Sequence, residues 1–173
     1  EGPMEDLLGI EIDYLPDGSI KLHQTAYIRK LLERFDVGHN KLGASSKLPY
    51  SPTFLQSVAD ALSLPAGSHP ELLRPLQEIV GCLMYAATST RPDIAFAVQY
   101  LFRCLQRPSP ALMRECHHVL EYLARHPSAG LTYAKGDRRL AGFADASWET
   151  AQSTSGWVVL WQGAALHWGS RKQ

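Results

Sequence analysis

Long apolar runs are missing from this sequence: no stretch approaches the ~18 residues that a membrane-crossing helix requires. Cysteine is scarce, with three among 173 residues. Cys82, Cys104 and Cys116 match no zinc or redox spacing, and an odd number argues against a disulfide framework, so reduced and mostly buried thiols of an intracellular protein are expected. Net charge is also missing, since 17 Lys and Arg balance 17 Asp and Glu, and bulk electrostatics alone demand no nucleic-acid partner. The opening residues Glu1 to Asp6 lack the basic-then-apolar order of a signal peptide, and position 1 is not Met, as expected of a piece of a longer product. Gly-rich phosphate loops are absent. Ser153-Thr154-Ser155 has no His/Asp partner pattern, which excludes a hydrolase triad. His117 and His118 are adjacent, diverge by about 100° on a helix and cannot together chelate one ion. No Asp-Asp pair occurs anywhere.

What is present reads as a folded chain. The apolar fraction is 45%, enough for a core. Charge is unevenly spread: residues 1–20 hold six acids and no Lys or Arg, leaving 17 bases against 11 acids in the rest. Alternating apolar residues on either side of Leu15-Pro16-Asp17-Gly18 predict a β-hairpin over 8–23. Tyr27, Ile28, Leu31, Leu32 and Phe35 form one stripe of a helix over 25–36, with Thr25 placed to cap it and Gly38 to stop it. Residues 38–70 carry Pro49, Pro52, Pro65 and Pro70 and predict a long surface loop with a short helical turn near 53–62. Helical spacing returns at 71–88. Thr90-Arg91-Pro92-Asp93 then starts a new helix that Pro108 ends. A further helix runs from Ser109-Pro110 to about 125, with Leu112, Met113, Cys116, Val119, Leu120 and Leu123 inward and Arg114, Glu115, His117, His118, Glu121 and Arg125 mostly outward. From 131 the period falls to two, giving strands at 131–133, 140–144, 156–161 and 164–168, with Gln162-Gly163 as a tight turn.

Three stretches in this order resemble copia-type retrotransposon Pol polyproteins, at the end of the reverse transcriptase and the start of ribonuclease H. The first is Leu8-Gly9-Ile10-Glu11-Ile12, then Gly18, Ile20, Leu22, Gln24 and Tyr27-Ile28. The second is Ile79-Val80-Gly81 with Leu83 and Tyr85, then Thr90-Arg91-Pro92-Asp93-Ile94 and Ala97-Val98. The third is Phe143-Ala144-Asp145-Ala146-Ser147-Trp148, Ser153-Thr154-Ser155-Gly156-Trp157 and Trp168 to Gln173. The resemblance implies an α+β fold in three parts: a primer-grip-like hairpin over 1–24, a helical thumb-like bundle over 25–130, and an incomplete ribonuclease H-like sheet over 131–173. It also implies that the polymerase Asp-Asp turn lies upstream of residue 1, so that this segment binds template–primer and positions the primer without being catalytic alone. The competing reading is a non-enzymatic nucleic-acid-binding or interaction module derived from such an element.

Candidate site residues follow. Gln77, Gly81 and Tyr85 recur every four residues and share a helix face. Gly81 costs roughly 1 kcal/mol in a helix interior, so either another helix packs closely there or a ligand approaches. In the resembled enzymes this face lies in the minor groove of the template–primer. Leu8, Gly9 and Ile10 would be the primer-grip turn, or else a plain bulged hairpin. Lys21, Arg29, Lys30 and Arg34 could reach phosphates or simply be solvated. Asp145, mid-strand, matches the catalytic, metal-holding aspartate of ribonuclease H, with Ser147 where the family often carries a second Asp. The complete enzyme would use magnesium, and this segment alone would hold none. The implied partners are an RNA–DNA hybrid or DNA duplex and the remainder of Pol, with no membrane. The implied location is the cytoplasm, a virus-like particle or the nucleus.

Overall fold

The computed structural model describes residues 3–37, 47–136, 138–147 and 153–172. The fold is α+β, with helices and two antiparallel sheets. The first sheet is built around the expected hairpin. β2 (Ile10–Tyr14) and β3 (Ile20–His23) pair in register from Glu11↔His23 to Tyr14↔Ile20. The Leu15–Gly18 turn closes them, with the Leu15 N–H donating to the Ser19 carbonyl at 2.9 Å and Gly18 at φ +82°. Asp17 accepts the Ser19 N–H at 2.8 Å, and that bond holds its carboxyl below the usual carboxylate range. A two-residue strand β1 (Asp6–Leu7) adds to one side, so Leu8-Gly9 forms a tight turn of its own rather than a bulge in the larger hairpin. On the other side β4 (Gly130–Tyr133) pairs with β3. This corrects the expectation that residues 131–133 start the C-terminal sheet: the strand returns to the N-terminal one.

The helices form the main core. In α1 (Thr25–Arg34), Ile28, Leu31 and Leu32 are buried. The cap differs from expectation, because Gln24 occupies the cap position and Thr25 is already helical. The orphan N–H of Ala26 is taken instead by the Glu11 carboxylate of β2 at 2.7 Å. The expected helical turn inside the 38–70 loop is a ten-residue helix, α2 (Phe54–Ser63). Phe54 is buried and its ring lies near Tyr50, Phe96 and Tyr100, so the aromatic contact, not the flanking prolines, decides the local structure. Gly38, the expected stop, lies outside the described residues, as do Trp148 and Gln173.

α3 (Pro70–Ser89) fits its pattern closely. A 3₁₀ turn (Pro92–Ile94) and α4 (Ala95–Arg103) follow, the helix ending before Pro108. α5 (Pro110–Arg125) is capped by Ser109, whose hydroxyl accepts the Leu112 N–H at 3.2 Å. Its face is misjudged at one position: Glu115 is 4% exposed, not solvated. Ser51 and Ser57 donate to its Oε1 at 2.8 and 3.2 Å, which offsets part of the cost of burying the carboxylate, while Oε2 has no hydrogen-bond partner among the described residues.

The second sheet has three strands in the order β5 (Leu140–Ala146), β6 (Thr154–Trp161), β7 (Ala164–Lys172). Gln162 and Gly163 both have positive φ, at +52° and +80°, the geometry of a type I′ hairpin. A small second core of Leu131, Ala164 and Ala165 joins the two sheets.

Candidate functional site

Gln77, Gly81 and Tyr85 lie one turn apart on α3, with Gln77 and Gly81 exposed and Tyr85 half-buried. A Cβ added at Gly81 would meet nothing within 4 Å. Among the described residues no neighbouring helix requires the glycine, so close packing of one of them is not its reason. The Tyr85 ring stands edge-on to Tyr27 at 5.1 Å and 83°, and the Tyr27 hydroxyl donates to the Cys82 carbonyl at 3.0 Å. Burial, reinforced by Cys82, raises the Tyr27 phenol above its usual range. Arg34 reaches across from α1 to an ion pair with Glu78, so its charge is already answered. The Tyr85 hydroxyl donates to the Leu8 carbonyl. Two groups of residues that are about seventy positions apart in sequence thus meet in one rim, the α3 face and the Leu8-Gly9 turn.

That turn has unusual geometry. Leu8 has φ +55° and Gly9 φ +79°, while Leu7 and Ile10 pair across it. Both central residues are left-handed, as type I′ demands, but only the second is glycine. A left-handed leucine costs roughly 1–2 kcal/mol. Its side chain is also 83% exposed, so the strain is not offset by burial.

Asp145 stands elsewhere. It is exposed on β5, pairs in register with Gly156, and its Oδ1 accepts the Ala146 N–H at 2.8 Å. It lines a cavity of about 700 Å³ whose walls are mostly apolar groups, among them Phe96, Phe143, Trp157 and Trp168, with Asp93 also in the lining. Among the described residues no group of three or more His, Cys, Asp or Glu side chains converges. A magnesium ion wants about six oxygens in a near-octahedral set, and this donor set does not fit one.

Comparison with known proteins supplies the family. A putative transposon Ty5-1 protein of Saccharomyces cerevisiae is 30% identical over 176 residues, 99% of this chain and 54% of its own length. The retrovirus-related Pol polyprotein from transposon TNT 1-94 of Nicotiana tabacum is 30% identical over 99% of this chain and 13% of the polyprotein. That from transposon RE1 of Arabidopsis thaliana is 33% identical over 96% of this chain and 11% of the polyprotein. The chain belongs to the copia-type retrotransposon Pol polyproteins. No family model and no solved structure matches it. This Pol chain spans about half the length of the yeast relative and a much smaller share of the plant polyproteins.

Within the Pol chain, the remaining candidates spread out. Lys21 sits mid-sheet, with Asp13 and Thr132 as its cross-strand neighbours. Lys30 and Arg29 are exposed on α1. No described contact joins Lys21, Lys30 or Asp145 to the Leu8–Tyr85 rim.

Sequence reading missed a polar hub at the end of β3. His23 is buried between Asp13, at 3.0 Å from its Nε2, and the Thr25 hydroxyl, at 2.7 Å from its Nδ1. Gln24 beside it is 1% exposed and accepts the Thr90 hydroxyl at 2.8 Å. Arg91 is equally buried, bidentate to Asp93, and donates to the His126 carbonyl at 2.9 Å. The Thr90–Asp93 motif therefore clamps the end of α5 to the start of α4, rather than only starting a helix. The adjacent polar letters His23-Gln24-Thr25, with no loop signal around them, were the available clue.

Proposed function

We propose that this chain contributes template–primer binding and primer positioning to a retrotransposon reverse transcriptase/ribonuclease H, and that it is not catalytic alone. The observation that carries the reading is Gly81, an exposed glycine in the middle of a 20-residue helix with open space where a Cβ would stand. Packing gives no reason for its cost. A double-stranded backbone pressed against the helix does, because only glycine lets the two approach that closely. Gln77, one turn earlier on the same face, presents a donor–acceptor to sugars and base edges, a contact that reads shape rather than sequence. The left-handed Leu8-Gly9 turn at the end of the same rim suits a primer-grip role. DNA synthesis, removal of RNA from the hybrid and magnesium chemistry would belong to the whole polyprotein, with Asp145 supplying one ligand of a set completed outside this chain.

Gly81→Ala and Gly81→Leu provide the test, read by urea denaturation and by fluorescence anisotropy on an RNA–DNA hybrid. Because nothing crowds the site, Gly81→Ala should stabilise the fold by about 0.5–1 kcal/mol. Gly81→Leu should weaken hybrid binding roughly tenfold, or about 1.4 kcal/mol, and Gln77→Ala should weaken it as well. Unchanged affinity in Gly81→Leu and Gln77→Ala, or wild-type protein that binds hybrid no better than single strands, would overturn the reading.

A further inference from the structure

The hydroxyl of Tyr85 does not face an open groove; it is spent on the Leu8 carbonyl. Resting on the template–primer reading above, we infer that Tyr85 is a positioning residue that sets the Leu8-Gly9 turn, instead of contacting the duplex through its hydroxyl. The local bonding of the turn is thin. Its strand β1 has two residues, and the ladder holds only Asp6↔Glu11 and Leu7↔Ile10. One further bond runs from the Ile12 N–H to the Glu5 carbonyl at 2.9 Å, and the Gly9 N–H reaches Asp6 Oδ1 only at 3.4 Å. β1 is a two-residue strand at the edge of the sheet, paired on one side only, so little holds the turn locally, and a left-handed leucine adds strain. The bond that reaches the turn from outside the sheet comes from Tyr85, which acts as its anchor. Its ring is itself held by the edge-on Tyr27, whose hydroxyl is fixed on the Cys82 carbonyl one turn earlier in α3. The height and tilt of the turn are thereby referenced to the helix. A duplex that seats on Gln77 and Gly81 meets a turn tip already registered to it, with the exposed Leu8 side chain projecting as an apolar wedge beside the primer end. Groove binding and primer placement become one linked event, since ordering either the helix face or the turn lowers the entropic cost of the other.

Tyr85→Phe tests this, because it keeps the ring and deletes only the donor. In the free protein, amide hydrogen exchange at Gly9 and Ile10 should accelerate roughly fivefold, the change in open population that follows from losing one hydrogen bond of ordinary net strength. Exchange in the middle of α3 should not change. On a primed template carrying 2-aminopurine at the primer 3′ end, wild-type protein should alter the probe's fluorescence. The Phe variant should lose most of that change while its affinity for the duplex stays within about twofold. Tyr85→Trp, which retains a donor, should restore part of the signal. Unchanged turn exchange in Tyr85→Phe overturns the anchor whatever the nucleic-acid result. A Phe variant that loses affinity and fluorescence change in equal measure would make Tyr85 a duplex contact and overturn the positioning role. Wild-type protein that does not bind the primed template would sink the function proposed above, while the exchange measurement would still decide the anchor.

Discussion

Cys116 shows what burial does to a single side chain here. It is fully enclosed on the inner face of α5, and desolvation, then the neighbouring Glu115, push its thiol up to about 12. Desolvation likewise lifts Cys104 to about 11, against the opposing pull of Arg103 and Arg107. Both shifts favour the protonated folded state. Below the ordinary thiol value of 9.0 the thiols are neutral in folded and unfolded chains alike, and their contribution to stability is intact. As pH rises past 9.0 the unfolded chain ionises first, so stability falls progressively toward pH 11–12. The urea midpoint should therefore drop between pH 9 and 10.5, and Cys104→Ala/Cys116→Ala should flatten that drop while lowering the midpoint overall. A double variant with the wild-type slope would mean that other groups drive the alkaline loss. At neutral pH the Ellman reagent should find Cys82 first, because it is the half-buried thiol. Burial of Cys116 was legible from its place in the apolar stripe of the helix over 110–125. Burial of Glu115 was not, because its partners Ser51 and Ser57 come from a segment whose position no periodicity in α5 could reveal.

Elements were legible where one period ran undisturbed. The stripe of α3 and the two-residue turn at Gln162-Gly163 depend on local spacing and local φ preference, and both stand as read. α2 was underestimated because its flanks are proline-rich and its stabilising contact, Phe54 against Phe96 and Tyr100, spans about forty residues. The partner of β4 was invisible for the same reason, since a strand's sequence shows its faces and not its neighbour. The structure nevertheless leaves a mark on one residue of β4. A Cβ at Gly130 would stand 2.2 Å from the Leu22 carbonyl and 2.8 Å from His23 Cβ, so a side chain collides with the backbone of the strand it pairs with. Gly130→Ala should cost about 1–3 kcal/mol by overpacking and open the β3–β4 ladder at that end. Gly142→Ala is the matched control, since nothing lies within 4 Å of its Cβ. It should be neutral or stabilising by up to about 1 kcal/mol. Chemical denaturation of the pair gives the comparison, and equal midpoints would show that β4 does not press on β3.

At the scale of the whole chain, the candidate site could be named in the sequence as residues but not as an arrangement. The spacing of Gln77, Gly81 and Tyr85 marked a helix face, yet nothing in the spacing said that Tyr85 would reach Leu8, because that contact depends on how α1 and the first sheet set the turn beside α3. The same nonlocal logic governs the two sheets. β4 ends the chain's helical half by closing back on the N-terminal hairpin, so residues 3–133 hold both the first sheet and nearly all of the core. The second sheet is attached to this body by a few identifiable contacts. The Trp168 indole donates to the Ala87 carbonyl at 2.8 Å, the Tyr133 hydroxyl to the Ala165 carbonyl at 2.8 Å, and Tyr100 meets the Thr154 hydroxyl at 2.7 Å. The apolar core between them is small, consisting of Leu131, Ala164 and Ala165 with partly buried neighbours. Such an attachment should open before the helical core does, since the free energy of local unfolding tracks buried apolar contact. Native-state hydrogen exchange should accordingly show two tiers, with α3 and α5 amides at the global limit and β5–β7 amides below it. Trp168→Phe keeps an aromatic ring in the small core but removes the bond to Ala87 and part of the packed ring. It should speed exchange in β6 and β7 several-fold, in line with the loss of one buried donor, and leave the α3 and α5 rates unchanged. Exchange that accelerated equally in helices and strands would instead show a single cooperative unit, with the second sheet as integral to the fold as the core that it covers.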